Sequence, residues 1–131
     1  MAFPLFVTGI AAVFLATLHL ALTFHVIAKR RSDRIVHGDN DDKDMMKRIR
    51  GHANASEQIP IALITLGLAE WALPGWWLIV IAALLVVGRY MHGIYFWTAG
   101  MPHQLRQFGM LMTLLAQIGA TAVLAIGLVT L

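Results

Sequence analysis

Apolar residues along this chain gather into four long stretches separated by polar connections, a pattern far longer than a strand and long enough for helices that cross a bilayer. No Asp, Glu, Lys or Arg occurs in residues 1–28, 71–88 or 107–131. Each of these runs can reach the ~20 residues that span a membrane, and they predict helices at about 3–28, 76–98 and 107–131. The remaining stretch, about 48–73, is interrupted by Glu57 and closed by Glu70, yet its run from Ile59 to Ala69 is too apolar to leave in water. It is read as a fourth span whose first turns carry a polar row. With one soluble-looking connection at 29–47 and two short ones, residues 1–131 are expected to form a single domain. The fold class is all-α integral membrane, an antiparallel four-transmembrane-helix bundle.

Composition supports this class. Hydrophobic residues make up 59% of the chain and charged residues 13%, against roughly 25% charge in a soluble domain. The opening Met-Ala-Phe-Pro has no basic n-region, so the first segment reads as a retained helix and not a cleaved signal. The absence of cysteine excludes disulfides, thiolate metal sites and a sulfur nucleophile of the protein's own, so any thiol must come with a ligand.

Basic residues fix the expected orientation. Lys29, Arg30, Arg31, Arg34, Lys43, Lys47, Arg48 and Arg50 cluster around the first connection, Arg106 lies in the third, and the turn from Trp71 to Trp77 has none. Basic excess marks the cytoplasmic side, which puts both termini outside, both basic connections inside, and Trp71, Trp76 and Trp77 in an outer aromatic belt. The net charge of +3 is then accounted for by topology and anionic membrane lipid, with no need of nucleic acid. The acidic run from Gly38 to Asp44 lacks the ligand spacing and central glycine of a calcium loop and reads as a solvated turn, so no metal site is expected. Small residues four apart, Ala12 with Ala16 and Ala116 with Ala120, would permit close helix contacts.

Candidate chemistry lies on the inner half of the second and third helices. Arg50, Asn54 and Glu57 follow the i, i+4, i+7 rule and share one helical face. An ionisable group at membrane depth is costly and is therefore paired or used. Pro60 cannot donate to the Ser56 carbonyl, which frees an acceptor beside Glu57 and predicts a kink. The third helix brings Arg89 to a similar depth, with His92 three residues on along the same face and Tyr90 one step round. An ion pair between Arg89 and Glu57 is the natural partnering, and it can lock two helices together, wall a binding site, or do both.

Four of the five other histidines carry less. His19 and His25 are six apart and do not share a face, so both read as packing or interfacial groups. His52 should point away from Asn54 and Glu57, and His103, beside Pro102, reads as a loop residue.

Arg50, Asn54, Glu57 and Pro60, preceded by Arg30, Arg31 and Arg34 at the end of the first helix, resemble the signature of the MAPEG family, the membrane-associated proteins in eicosanoid and glutathione metabolism. The resemblance covers nearly the whole chain, including an Arg-Tyr pair in the third helix and Gln104-Leu105-Arg106 ahead of the fourth. It implies a bacterial member of that family, a homotrimer with glutathione bound between neighbouring subunits near the cytoplasmic face. Residues matching Arg50, Asn54, Glu57 and Tyr90 would hold the tripeptide, with Arg89, His92 and Tyr95 beside them. One matching Arg106 would stabilise the thiolate, and one matching Arg30 or Arg31 would act as acid or base. The chain departs from the family where the segment from Arg89 to Arg106 is several residues longer than in the leukotriene-forming pattern. The second family tyrosine falls on Ile94, with Tyr95 about 100° further round the helix, so either the local register shifts or that contact is absent.

The chemistry of these residues is consistent with such a ligand. Glutathione carries two carboxylates, an ammonium and a thiol, which match a cleft of several arginines, one glutamate and one asparagine. A neighbouring guanidinium raises the thiolate fraction. The expected function is thus a membrane glutathione transferase or peroxidase acting on a lipophilic small molecule, in a bacterial inner membrane. The alternative is a non-catalytic, MAPEG-like scaffold that binds lipid or glutathione. A small four-helix multidrug transporter has comparable length but carries its essential acid in the first helix, where this chain has none.

Overall fold

The structure is a computed structural model that describes residues 4–130; the expected helix limits at positions 3 and 131 lie outside them. Four helices make up the described chain: α1 (Phe6–Asp33), α2 (Lys43–Ala72), α3 (Trp77–Trp97) and α4 (His103–Thr130). The expected four-helix bundle is borne out. α2 and α3 form a central pair, α1 packs on one side against both, and α4 packs on the other side against both. Among the described residues α1 and α4 do not meet.

Each helix turns one stripe inward at the spacing that 3.6 residues per turn requires. Ala11, Leu15, Leu18 and Leu22 are the stripe of α1, Ala55, Ile59, Ala62 and Leu66 that of α2, and Leu78, Ile81, Ala82 and Leu85 that of α3. On α4 the stripe is made of small residues, Gly109, Thr113, Ala116 and Ala120. Of the two small pairs singled out in the sequence, Ala116 and Ala120 lie in this contact, while Ala16 is on the exposed side of α1. Large apolar side chains cover the outside instead, Phe14, Phe24, Ile64, Ile79 and Ile118 among them. That inversion suits a surface facing hydrocarbon.

By length and composition α1, α3 and α4 can each cross a membrane. α2 is too polar to qualify by itself. It is nonetheless held between the other three helices, so its polar row faces protein and cleft as much as lipid. The helix runs through Pro60 to Ala72, with the proline on its exposed side.

Three helix ends differ from the expectation. α1 continues to Asp33 and ends where Arg34 adopts a left-handed backbone, φ 56°. α2 starts at Lys43 because Asp42 caps it: its Oδ1 accepts from the Asp44 and Met45 amides at 2.8 and 2.9 Å. The 29–47 connection therefore shrinks to residues 34–42, and its ends become helix. α4 starts at His103, directly after Pro102, which suits a first turn that needs no donor there. At the first two of these ends, charged residues that read as loop belong to the helix: Arg30 and Arg31 lie in the last turn of α1, and Asp42 caps α2.

At the other end of the bundle, Glu70 serves α1. Its two carboxylate oxygens accept from the Val7 and Thr8 amides at 2.9 and 2.8 Å. Leu5, the N-cap residue of α1, offers no side-chain acceptor, and the first N–H groups of any helix lack intrahelical partners. A buried carboxylate from α2 fills that role.

Candidate functional site

A cleft of about 630 Å³ opens on one side of the bundle between α2, α3 and α4. Its polar walls are Arg50, Asn54 and Glu57 from α2, His92 from α3, and Arg106 and Gln107 from α4. The helical spacing predicted from sequence therefore holds: the 50, 54, 57 row faces one space. Met110, Leu111 and Leu114 of α4 form an apolar wall beside the charges. Arg50, Glu57 and Arg106 are exposed to the cleft, Asn54 is half-buried, and His92 is buried with its Nδ1 unpartnered among the described residues.

Close helix contacts bring these groups together. Gly88 of α3 and Gly109 of α4 meet backbone to backbone: a Cβ on Gly109 would lie 2.6 Å from the Gly88 carbonyl oxygen and 2.7 Å from the His92 amide nitrogen. Only hydrogen fits there. Gly51 of α2 lies equally close to the Phe96 ring of α3, which lines the cleft. These contacts set the spacing between Arg50, His92 and Arg106.

Arg89 is not paired with Glu57, contrary to the sequence expectation. Its side chain is fully buried behind the cleft, and Nη1 donates to Asn54 Oδ1 at 2.9 Å. Asn54 lies one turn before Glu57 on the same helix. Glu57 is thereby left facing the open space.

Other candidate residues lie off the cleft. The Tyr90 hydroxyl donates to the Phe14 carbonyl at 3.0 Å and ties α3 to α1. Arg30 reaches the Gly38 carbonyl at 3.0 Å, and Arg31 is exposed at the end of α1. Tyr95 is buried next to the site and not in its wall. Its hydroxyl bonds to His103 Nδ1 at 2.9 Å, and both Lys47 and Arg106 lie over its ring, at 4.7 and 5.6 Å from the centroid. Such cation–π contacts hold Arg106 at the mouth of the cleft. His103 is thus a helix residue with a partner, not a loop residue.

The remaining polar groups fasten helices. His52 faces away from Asn54 and Glu57, as its position predicted, and packs on the His19 ring with centroids 4.9 Å apart; His19 Nε2 bonds to Ser56 Oγ at 2.9 Å. His25 stacks on Trp97 at 4.0 Å, and Arg48 donates to the His25 carbonyl at 3.1 Å while pairing with Asp44 at 3.0 Å. Gln117 of α4 donates to Gln58 Oε1 of α2 at 3.0 Å. Glu70, Gln58 and Gln117 were not singled out by sequence reasoning, and a second acid in a span, or a glutamine in each of two spans, was the available signal. No group of three metal-binding side chains occurs among the described residues.

The sequence model of the MAPEG family matches residues 8–126. The inner membrane protein YecN of Escherichia coli K12 is 33% identical over 87 residues, 66% of this chain and 66% of its own. The YecN of E. coli O6:H1 gives the same values. The chain spans about two thirds of the length of these curated relatives.

Proposed function

From the premise that the chain belongs to the MAPEG family, we propose that it binds glutathione in the α2/α3/α4 cleft and is a membrane glutathione transferase or peroxidase. The supporting observation is the convergence of Arg50, Asn54, Glu57, His92 and Arg106 on one space of about 630 Å³, within the ~300–1,000 Å³ usual for small-molecule sites. The donor set fits the ligand. The Arg50 guanidinium matches a carboxylate, the Glu57 carboxylate matches an ammonium, the Arg106 guanidinium matches a thiolate, and the apolar wall of Met110, Leu111 and Leu114 gives a lipophilic partner a seat.

When bound, glutathione supplies a sulfur nucleophile. The protein's part is binding, orientation and charge. Arg50 and Glu57 hold the two ends of a zwitterionic tripeptide, Asn54 presents an amide between them, and Arg106 stabilises negative charge at sulfur. Buried His92 and half-buried Phe96 close the cleft on the α3 side. In a homotrimer with glutathione between subunits, Arg30, Arg31 and Tyr90, which lie off the cleft within one chain, would come from a neighbour. The proposed setting is a bacterial inner membrane, the location named for the E. coli relative. Both termini would lie outside, with the basic connections in the cytoplasm.

A non-catalytic, glutathione- or lipid-binding role is the second reading, favoured by the apolar wall of Met110, Leu111 and Leu114, which suits a lipid without any sulfur chemistry. Titration of the detergent-purified protein with glutathione at neutral pH, following ultraviolet thiolate absorbance, separates the two. Saturable thiolate formation is expected. Saturable calorimetric binding without it supports the binding role, and absence of binding overturns both glutathione readings.

A further inference from the structure

Arg89 is a fully enclosed side chain, and an enclosed guanidinium is costly unless its donors are matched. Among the described residues no carboxylate reaches it, and Nε and Nη2 have no partner. Its one hydrogen bond runs from Nη1 to Asn54 Oδ1 at 2.9 Å.

A guanidinium has donors and no acceptor. The atom of Asn54 that faces it must therefore be the amide oxygen, and the NH₂ group is turned the other way. Asn54 also lines the cleft. With its oxygen taken, this side chain offers the cleft two N–H donors and no acceptor.

We propose that Arg89 is a positioning residue that fixes the polarity of the cleft at Asn54, so that the site takes a ligand carboxylate or amide carbonyl there and rejects a ligand donor. For the identity of that ligand the inference rests on the glutathione reading above, since the tripeptide carries both kinds of acceptor. Arg89 does not line the cleft and acts through Asn54 alone. Glu57, free of Arg89, supplies the opposite polarity one turn away, so the two positions together read which end of a zwitterion lies where.

The deciding variant is Asn54→Asp, because it separates the pair from its consequence. Aspartate gives Arg89 a counter-ion but presents only acceptors to the cleft. Thermal unfolding of the full-length protein in detergent should show Asn54→Asp at least as stable as the parent, while calorimetry shows glutathione binding weakened roughly tenfold or more. Arg89→Met, which removes the buried charge and releases the Asn54 amide to flip, should weaken binding by a similar factor, and Arg89→Lys should restore most of it. Arg89→Met should cost little further in an Asn54→Ala background, since the two act as one unit.

A pair that only joins α2 to α3 predicts otherwise. Undiminished glutathione affinity in a stable Asn54→Asp variant, or losses from Arg89→Met and Asn54→Ala that simply add, overturns the proposal. If the parent protein binds no glutathione, the functional reading fails separately. The stability arm then still decides the pairing: an Asn54→Asp variant less stable than the parent overturns it, and one at least as stable, with that gain lost on adding Arg89→Met, supports it.

Discussion

Arg89 donates to Asn54 Oδ1 at 2.9 Å across the α2/α3 contact, and this pairing leaves the Glu57 carboxylate, one turn along the same face, open to the cleft. Had Glu57 neutralised Arg89, the site would have lost its acid. The buried cation instead makes its one hydrogen bond to a neutral amide, and the acid stays available for a ligand ammonium.

Glu57→Gln is therefore expected to weaken glutathione binding without lowering thermal stability. One charge-assisted hydrogen bond contributes about 1.5–3 kcal/mol, which corresponds to roughly a ten- to hundredfold change in Kd. Arg50→Ala should act in the same way and Trp76→Ala should not, because Trp76 lies at the far end of the bundle. Calorimetry on the three variants, beside their unfolding midpoints, checks this. Equal affinity in all three would remove the site from α2.

Glu70 should show the reverse pattern. Its carboxylate is buried and bonds to the Val7 and Thr8 amides, so Glu70→Ala leaves the start of α1 without acceptors, at a cost of about 1–3 kcal/mol. Glu70→Gln keeps one acceptor oxygen and should fall between. Hydrogen exchange is expected to accelerate at residues 7 and 8, with glutathione affinity unchanged. Unaltered exchange there would show that the cap is dispensable.

Gly109→Ala tests whether the α3/α4 crossing sets the width of the cleft. A Cβ at this position meets the Gly88 carbonyl oxygen at 2.6 Å, backbone that cannot rotate away. Overpacking of this kind costs about 1–3 kcal/mol, and separating the helices shifts Arg106 from His92. Both stability and binding should fall. Gly119→Ala meets only the Ile81 side chain at 3.3 Å and should be tolerated, which makes it the control. Equal behaviour of the two would dissociate the crossing from the site.

The bundle was legible because helical period and the length of apolar runs decide it, and the row at Arg50, Asn54 and Glu57 was legible because its spacing is a helix repeat. Partner choice was not. From sequence the acid Glu57 was the natural partner of Arg89, and the fold pairs it with the amide of Asn54 instead; helical period places residues on a face but does not fix the depth at which two helices cross. Tyr90 and Tyr95 illustrate the same limit: both lie on α3 within six positions of Arg89, yet one turns to Phe14 and the other to His103. Glu70 looked like a helix end because its partner amides lie 62 and 63 positions away in the chain.

Acid should loosen the start of α2. The Met45 and Asp44 amides together with the Lys29 ammonium hold the Asp42 carboxyl below its usual range, the Met45 bond first among them. A carboxyl lowered in the folded state contributes stability above its unfolded value, about 3.9, and that contribution is lost as pH falls through the lower folded value. Exchange of the Met45 amide should thus stay protected at neutral pH and down to about pH 4, then lose the protection that the cap provides. In Asp42→Ala it should be fast at neutral pH, and the two proteins should converge in strong acid. Persistent protection of Met45 in the variant would mean that the turn is held by packing.

The Arg106 guanidinium is held over the Tyr95 ring at 5.6 Å while lining the cleft, so its charge can act at sulfur without being the main ligand for the tripeptide's carboxylates. Arg106→Ala is expected to leave glutathione affinity within a few-fold while lowering thiolate absorbance at neutral pH. A guanidinium beside a thiol acts on its ionisation more than on the remote contacts. Tyr95→Leu should reproduce part of that loss by freeing the arginine, whereas Tyr95→Phe keeps the ring and should not, although it breaks the bond to His103. If Tyr95→Phe is as damaging as Tyr95→Leu, the hydroxyl and not the ring face positions this corner of the site, and His103 becomes the residue to test next.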